Sequence, residues 1–177
     1  MGILDLLKYV RLAYLSRPTA DRCVYRLIQR KSLRSIVEIG LGTGMRARQM
    51  IGQASRHGDV RYTGIDLFEA RPQDQPGIPF KEAHRALISL PAKVRLIPGD
   101  PFCALARCAN DLTDTDLLVI SADQDAEALQ RAWFYLPRML HSNSVVCLEQ
   151  RDGDNSRFQT LTKSDVEAST TDGRAAA

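Results

Sequence analysis

Three glycines in alternate positions follow a short apolar segment, and this junction constrains the fold more than any other feature of the sequence. The apolar segment spans residues 36–39, and the glycines are Gly40, Gly42 and Gly44. Apolar residues at helical spacing begin directly afterwards, at Met45. A strand, a tight turn and a helix in this order are typical of the ligand-binding edge of an α/β domain. Glycine lets the backbone turn sharply and approach a ligand, and the start of a helix attracts an anion.

The same alternation of strand and helix continues along the chain. Further strands are predicted at 60–65, 93–97, 116–120 and 145–149, with helices between them and two helices ahead of the first strand. We therefore predict an α/β fold with a doubly wound, mostly parallel, Rossmann-like sheet that is shortened at its C-terminal side. The expected units are a helical extension at 1–34, the α/β domain at 35–168 and a disordered tail at 169–177.

Composition restricts the class of protein. The chain has 177 residues, 44% of them hydrophobic, and a net charge of +3. These values fit one globular domain and do not require a nucleic-acid partner. The four cysteines form no CxxC pair, and charged residues interrupt the apolar start of the chain. We therefore expect reduced thiols, no membrane span and a cytoplasmic location.

The residues around the glycine turn indicate which ligand it holds. Met45 stands where dinucleotide enzymes have a third glycine, and no Lys-Ser/Thr pair of a phosphate-binding loop follows. A smaller anion, such as an amino-acid carboxylate, therefore fits the turn better than a pyrophosphate. Asp66 ends the second strand and can accept both hydroxyl protons of a ribose. Asp100 follows the third strand and can accept a hydrogen bond from the amine of adenine. Amino acid, ribose and adenine together describe S-adenosylmethionine.

On these residues the chain resembles the class I S-adenosylmethionine-dependent methyltransferases. The matching motifs are VEIGLGTG at 37–44, YTGID at 62–66 and RLIPGD at 95–100, in the family's order, and the resemblance covers roughly residues 30–150. It implies that Glu38 and the glycine-turn backbone hold the methionyl part, Asp66 the ribose and Asp100 with its neighbours the adenine, with Leu67 or Phe68 against the base. The implied cofactor-binding set is Glu38, Gly40, Leu41, Gly42, Thr43, Gly44, Asp66, Leu67, Phe68, Gly99, Asp100, Pro101 and Ser121.

The loop after the fourth strand departs from the pattern of similar small-molecule O-methyltransferases. Those enzymes often carry Ile-Asp-Gly-Asp/Asn-His, whereas residues 120–125 here read ISADQD. The resemblance therefore implies no metal ligand at Ser121, and we predict no metal site. Asp123 and Asp125 are the candidates for a catalytic base or a cation ligand, although capping of the following helix is the favoured role for them.

Three functions remain open from the sequence. The first is methyl transfer to a small-molecule acceptor. The second is a binding or scaffolding protein of the same fold without catalysis. The third is RNA methylation or RNA binding through an arginine cluster at Arg22, Arg26, Arg30 and Arg34, although a solvated helix face is the favoured explanation of that cluster over an anionic substrate or RNA. An uncovered sheet edge would favour a homodimer.

Overall fold

A six-stranded sheet forms the centre of the computed structural model, which describes residue 7 and residues 9–153 and 155–175. The spatial order of the strands is β3-β2-β1-β4-β5-β6; β1 to β5 pair in parallel, and β6 runs antiparallel to β5. The predicted doubly wound, mostly parallel sheet is thus confirmed. The strands are β1 Ser35–Ile39, β2 Arg61–Asp66, β3 Lys93–Pro98, β4 Thr115–Ile120, β5 Leu140–Asp152 and β6 Asn155–Leu161.

Helices cover both faces of this sheet. They are α1 Asp21–Lys31, α2 Met45–Ala54, α3 Phe80–Ile88, α4 Pro101–Cys108, α5 Ala126–Ala132, α6 Leu136–Met139 and α7 Lys163–Ala175. A short π-helical turn, Arg11–Leu15, lies ahead of α1.

The two faces of β1 divide the core into two layers. Ile36 belongs to the layer that α1 and α2 cover, where it packs with Val24 and Met50. Val37 and Ile39 belong to the opposite layer, which α4 and α6 cover. Successive side chains of a strand point to opposite faces, so Glu38 shares the face of Ile36 and is directed towards α1 and α2.

The two ends of the chain differ in part from the sequence-based predictions. Of the helix predicted at 3–15, residues 3–6 and 8 lie outside the described residues. The tail predicted to be disordered from 169 is helical as far as Ala175, within α7. This helix is fixed at its start because Asp165 accepts hydrogen bonds from the Thr162 backbone and hydroxyl, both at 2.7 Å, and Val166 is fully buried.

The region before β5 is broken more often than the single helix predicted for it. α5 ends at Ala132, a 3₁₀ turn follows at Trp133–Tyr135, and Pro137 lies in the first turn of α6. Proline is tolerated there because the first N–H groups of a helix have no intrahelical partner.

Among the described residues, no helix is both long enough and apolar enough to cross a membrane.

Candidate functional site

The glycine turn between β1 and α2 packs directly against the loop that follows β4. Gly40, Gly42 and Gly44 have φ values of +88°, +56° and +73°. A Cβ atom on Gly40 would lie 2.7 Å from Cβ of Ser121 and closer still to the amide nitrogen of Gln124. Only glycine therefore meets both the conformational and the steric requirement at position 40.

A cleft of about 260 Å³ opens beside this turn at the carboxyl ends of the strands. It contains five residues of the predicted cofactor-binding set: Gly40, Leu41, Gly42, Thr43 and Ser121. Gly44 is the N-cap of α2. Charged groups that the sequence did not single out also line the cleft, namely Arg17, Asp21, Arg46 and Glu149.

A buried charge cluster centred on Arg46 forms the floor of the cleft. Nε of Arg46 donates to Glu38 Oε1 at 2.7 Å, and one of its terminal nitrogens, Nη1, lies 3.4 Å from Asp21 Oδ1 and 3.6 Å from Glu149 Oε2. The guanidinium also donates to the carbonyl of Gly40 and to the hydroxyl of Ser121. One guanidinium thus connects α1, β1, the glycine turn, the loop after β4 and β5.

Two aromatic side chains complete the charge cluster. The hydroxyl of Tyr62 donates to Glu38 Oε2, and the ring of Phe158 on β6 lies 5.5 Å from Cζ of Arg46. Glu38 is fully buried, so its oxygens are satisfied by Arg46 and Tyr62 alone among the described residues.

Burial governs the protonation of this cluster. Burial raises the pKa of Glu38 and of Asp21, although the positive charge of Arg46 opposes the shift. Burial and the neighbouring Glu38 also raise the pKa of Tyr62. The nearby carboxylates raise the pKa of Arg46 further against the effect of burial, so its guanidinium stays charged.

The carboxylate of Asp66 is engaged by Arg71 of the following loop. Nε and a terminal nitrogen of Arg71 donate to the two oxygens of Asp66, each at 2.6 Å. The backbone N–H groups of Gly42 and Phe68 donate to the same carboxylate at 3.1 and 2.8 Å. Asp66 therefore lies at the glycine turn, and Arg71 engages both of its carboxylate oxygens.

Of the two candidate bases, Asp123 pairs with Arg71, and Asp125 lies at the start of α5. Asp123 Oδ2 accepts from Arg71 at 2.6 Å, and Asp125 caps α5 by accepting from the N–H of Ala128 at 2.8 Å. Burial by itself raises the pKa of Asp123, but the hydrogen bond and charge of Arg71 outweigh this effect, so the pKa is lowered. Asp123 is therefore a weak base in this conformation.

The residues predicted to surround the adenine lie outside the cleft lining. Asp100 caps α4 by accepting from the N–H of Cys103 at 2.9 Å, and Pro101 is the first residue of that helix. Gly99 has φ +137° and donates to the carbonyl of Asp66 at 2.9 Å. Partial burial by itself raises the pKa of Asp100, but hydrogen bonds to the Asp100 carboxylate outweigh this effect, so the pKa is lowered.

Of the two side chains suggested to pack on the base, Phe68 is directed into the core. It is 3% exposed, and its ring lies 5.1 Å from that of Phe80. Leu67 is half-buried and remains available at the sheet edge. Phe68 therefore packs in the core in this conformation, and Leu67 is the more exposed of the two side chains.

Arg46 and Arg71 are the main residues that the sequence did not identify. A cation in the first turn of a helix opposes the helix dipole, and this is the signal by which Arg46 could have been found. Arg71 lies in a proline-containing loop without any periodic pattern, so no sequence signal marks it.

The fold is that of class I S-adenosylmethionine-dependent methyltransferases. A TehB-like S-adenosylmethionine-dependent methyltransferase from Corynebacterium glutamicum superimposes with a TM-score of 0.53 at 16% identity, over 96% of this chain and 79% of that one. A Staphylococcus aureus protein assigned as a caffeoyl-CoA O-methyltransferase gives a TM-score of 0.55 at 15% identity, over 99% and 81% of the two chains.

A third similar structure contains a ligand. It is a Plasmodium falciparum protein assigned as a protein-L-isoaspartate O-methyltransferase, in complex with S-adenosyl-L-homocysteine, with a TM-score of 0.53 at 16% identity over 86% of this chain and 68% of that one. No protein-family model matches the chain, and the comparison with curated protein sequences finds no match.

Proposed function

We propose that the protein binds S-adenosylmethionine in the cleft and transfers its methyl group to a small-molecule acceptor. The observation that carries this proposal is the junction of Asp66 with the glycine turn, through the 3.1 Å hydrogen bond from the N–H of Gly42. It joins a carboxylate suited to a ribose with a turn suited to an amino acid, at the strand ends where such sheets bind ligands. The methyltransferase fold supports the same assignment.

The charges of the cleft fit the charges of this cofactor. S-adenosylmethionine carries an ammonium group, a sulfonium group and a carboxylate. Asp21 and Glu149 line the cleft and favour the two cations, and Arg46 beside them favours the carboxylate. We propose that Gly40, Leu41, Gly42, Thr43, Gly44 and Ser121 surround the methionyl part, with Glu38 holding Arg46 in place. Asp66, Leu67, Gly99, Asp100 and Pro101 would form the nucleoside side.

The chemistry proposed for the site is an in-line displacement. The acceptor's electron pair forms a bond to the methyl carbon as the carbon–sulfur bond breaks, and S-adenosylhomocysteine leaves with that bonding pair. Positioning in a water-poor cleft supplies most of the acceleration for such a transfer. Asp123 pairs with Arg71 and Asp125 caps a helix, so neither is placed to act as a strong base. The acceptor best suited to the site is therefore one that is nucleophilic enough to react without deprotonation by a strong base.

A second candidate function is binding without catalysis. It is favoured by the pairing of Asp66 with Arg71, because this arginine competes with a ribose for the carboxylate. Tight binding of S-adenosylmethionine without methyl transfer to any member of a broad acceptor panel would favour this alternative. The RNA hypothesis has less support, because Arg22 donates to the carbonyl of Ser16 at 3.0 Å and Arg26 stacks on Tyr14.

Location and assembly remain proposals. The four cysteines are free, and two of them, Cys108 and Cys147, are buried in the core. This supports a reducing compartment such as the cytoplasm. β3 is an edge strand of the described sheet, which supports pairing with a second copy as a homodimer.

Asp66→Ala is expected to weaken S-adenosylhomocysteine binding at least about tenfold, since loss of a charged hydrogen-bonding group costs about 1.5–3 kcal/mol. Isothermal titration calorimetry measures this, and circular dichroism checks that the variant is folded. Asp74→Ala, which removes an exposed carboxylate of the same loop, is the matched control and should bind like the wild type. Absence of binding by the wild type, or unchanged binding by Asp66→Ala, contradicts the proposed function.

A further inference from the structure

A second cavity lies beside the cleft, between α2 and the segment 11–17. Its volume is about 660 Å³, which is within the range of small-molecule sites. One wall is a single face of α2, because its residues recur at intervals of three or four. We call this cavity the lateral chamber, and its lining comprises Arg11, Leu12, Leu15, Ser16, Arg17, Met45, Gln49, Gly52, Gln53 and Arg56.

The lateral chamber contains an unpaired buried amide. Gln53 is 0% exposed, and neither its amide oxygen nor its amide nitrogen has a hydrogen-bond partner within the described part of the chain. Buried polar side chains are nearly always paired, because an unpaired one costs the free energy of its lost hydration. Neither amide atom is exposed in this conformation, so a bound molecule with both a donor and an acceptor pairs with this amide once the Gln53 side chain turns towards the cavity.

The remaining lining defines the charge and polarity of that molecule. Arg11 and Arg17 bring positive charge, and no aspartate or glutamate is among the described lining residues. Leu12, Leu15 and Met45 provide an apolar wall, with Leu15 69% and Met45 62% exposed. Guanidinium groups bind carboxylates and phosphates well, and apolar side chains bind a hydrocarbon or aromatic body. The matching ligand is an organic anion with an apolar body.

The lateral chamber adjoins the cofactor cleft. The two cavities share five lining residues: Leu12, Ser16, Arg17, Met45 and Gln49. We propose that the lateral chamber binds the methyl acceptor and that this acceptor is an organic anion with an apolar body, a carboxylate or a phosphate ester. This inference rests on the proposed function, because it takes the neighbouring cleft as the site of the methyl donor.

Gly52 provides a way to fill the lateral chamber without disturbing the fold. A Cβ atom on Gly52 meets no described heavy atom within 4 Å. Gly52→Leu therefore places a side chain into free space, and Gly52→Ala is a matched control that adds one methyl group. Both changes favour the helix, since glycine is a poor helix former. Gly52 does not line the cofactor cleft, so neither change touches the proposed cofactor contacts.

The binding test uses 8-anilinonaphthalene-1-sulfonate, a fluorescent anion with an apolar body, on the full-length protein. We expect Gly52→Leu to weaken its binding at least about tenfold and Gly52→Ala to leave it within about twofold, because only leucine fills the cavity. Arg11→Gln should weaken this anion about threefold and leave the uncharged N-phenyl-1-naphthylamine unchanged. Anion binding that is the same in Gly52→Leu and Gly52→Ala overturns the proposal.

A second arm tests whether the chamber serves an acceptor. Direct methyl transfer needs donor and acceptor bound together, so the anionic probe must still bind when S-adenosylhomocysteine saturates the protein. Retained binding that Gly52→Leu abolishes supports the proposal, whereas displacement of the probe by S-adenosylhomocysteine overturns the acceptor role. If the wild type binds no S-adenosylhomocysteine, the proposed function and the acceptor role fail together. The comparison at Gly52 then still decides whether the chamber is an anion site.

Gln53→Met separates ligand recognition from a structural role of this amide. Methionine keeps the length of the side chain and removes the unpaired polar atoms, so the midpoint of thermal unfolding should rise by about 2–4 °C, the shift expected for about 1 kcal/mol in a domain of this size. Binding of the anionic probe should weaken in the same variant. A fall in the unfolding midpoint would show that Gln53 is a structural residue and would overturn its assignment as a ligand contact.

Discussion

Arg46→Met is expected to lower the free energy of unfolding by about 3–5 kcal/mol at neutral pH, the largest effect on stability that we anticipate for a single substitution. The guanidinium of Arg46 is 12% exposed and compensates Glu38, whose side chain is fully buried, together with Asp21 at 7% and Glu149 at 14% exposure. Methionine fills a similar volume but leaves these carboxylates without a positive partner.

Chemical denaturation followed by circular dichroism measures this loss of stability. Arg48→Met is the matched control, because Arg48 is exposed on the same helix, and it should change the free energy of unfolding by less than about 0.5 kcal/mol. Equal stability of the Arg46 and Arg48 variants would show that the charge cluster does not hold the cleft together.

The effect of Arg46→Met should depend on pH in a defined direction. Burial already raises the pKa of Glu38 and Asp21, so these two groups bind more protons in the folded protein than in the unfolded chain above the ordinary carboxyl range. Their contribution to stability therefore falls as the pH rises from that range through the raised values. Removing Arg46 raises both pKa values further, so the variant should be weakest at alkaline pH and recover towards the wild type in mild acid. A pH-independent difference would contradict this account.

Arg71→Ala is expected to tighten S-adenosylhomocysteine binding by about tenfold, corresponding to about 1.4 kcal/mol. Two charged hydrogen bonds to Asp66 and one to Asp123 hold Arg71, and a ribose must displace at least those to Asp66. Each such bond is worth about 1.5–3 kcal/mol, and the displaced guanidinium regains part of that in water. Removing the arginine removes the competitor and leaves the N–H groups of Gly42 and Phe68 to orient the carboxylate.

Calorimetry with the same ligand tests this competition. Arg85→Ala, which removes an exposed arginine of α3, should bind S-adenosylhomocysteine like the wild type. Weaker binding by Arg71→Ala would make Arg71 a cofactor contact and would exclude its role as a competitor. Tighter binding would also explain how the paired Asp66 is compatible with a methyl-donor site.

The sequence predicts most of the sheet because the relevant signals are local. Apolar strands, the glycine turn and the acid at the end of β2 all depend on neighbouring residues, and they place Gly40, Gly42 and Asp66 at one edge. The arginine partners depend on tertiary contacts that no local pattern records. Arg71 contacts Asp123 far along the chain, and Arg46 contacts residues on α1 and β5.

The C-terminal helix shows a different limit of sequence reasoning. Its residues are small and polar, a composition typical of disorder. The structure nevertheless holds α7 through the capping of Thr162 by Asp165 and the burial of Val166 against the layer of α4 and α6. One buried side chain and one helix cap stabilise α7, and the average composition of the segment reveals neither of them.

The pairing of Glu149 with Phe158 in the β5–β6 hairpin has a consequence for how the site forms during folding. Glu149 and Phe158 are the contacts of Arg46 that lie furthest along the chain, whereas Asp21 contacts Arg46 from α1. Contacts between such distant parts of a chain form slowly, since a long loop must close first. We therefore expect Glu38 and Arg46 to stay hydrated during folding until the hairpin has formed. We expect the ability to bind a ligand to arise late in folding, together with the final exclusion of water.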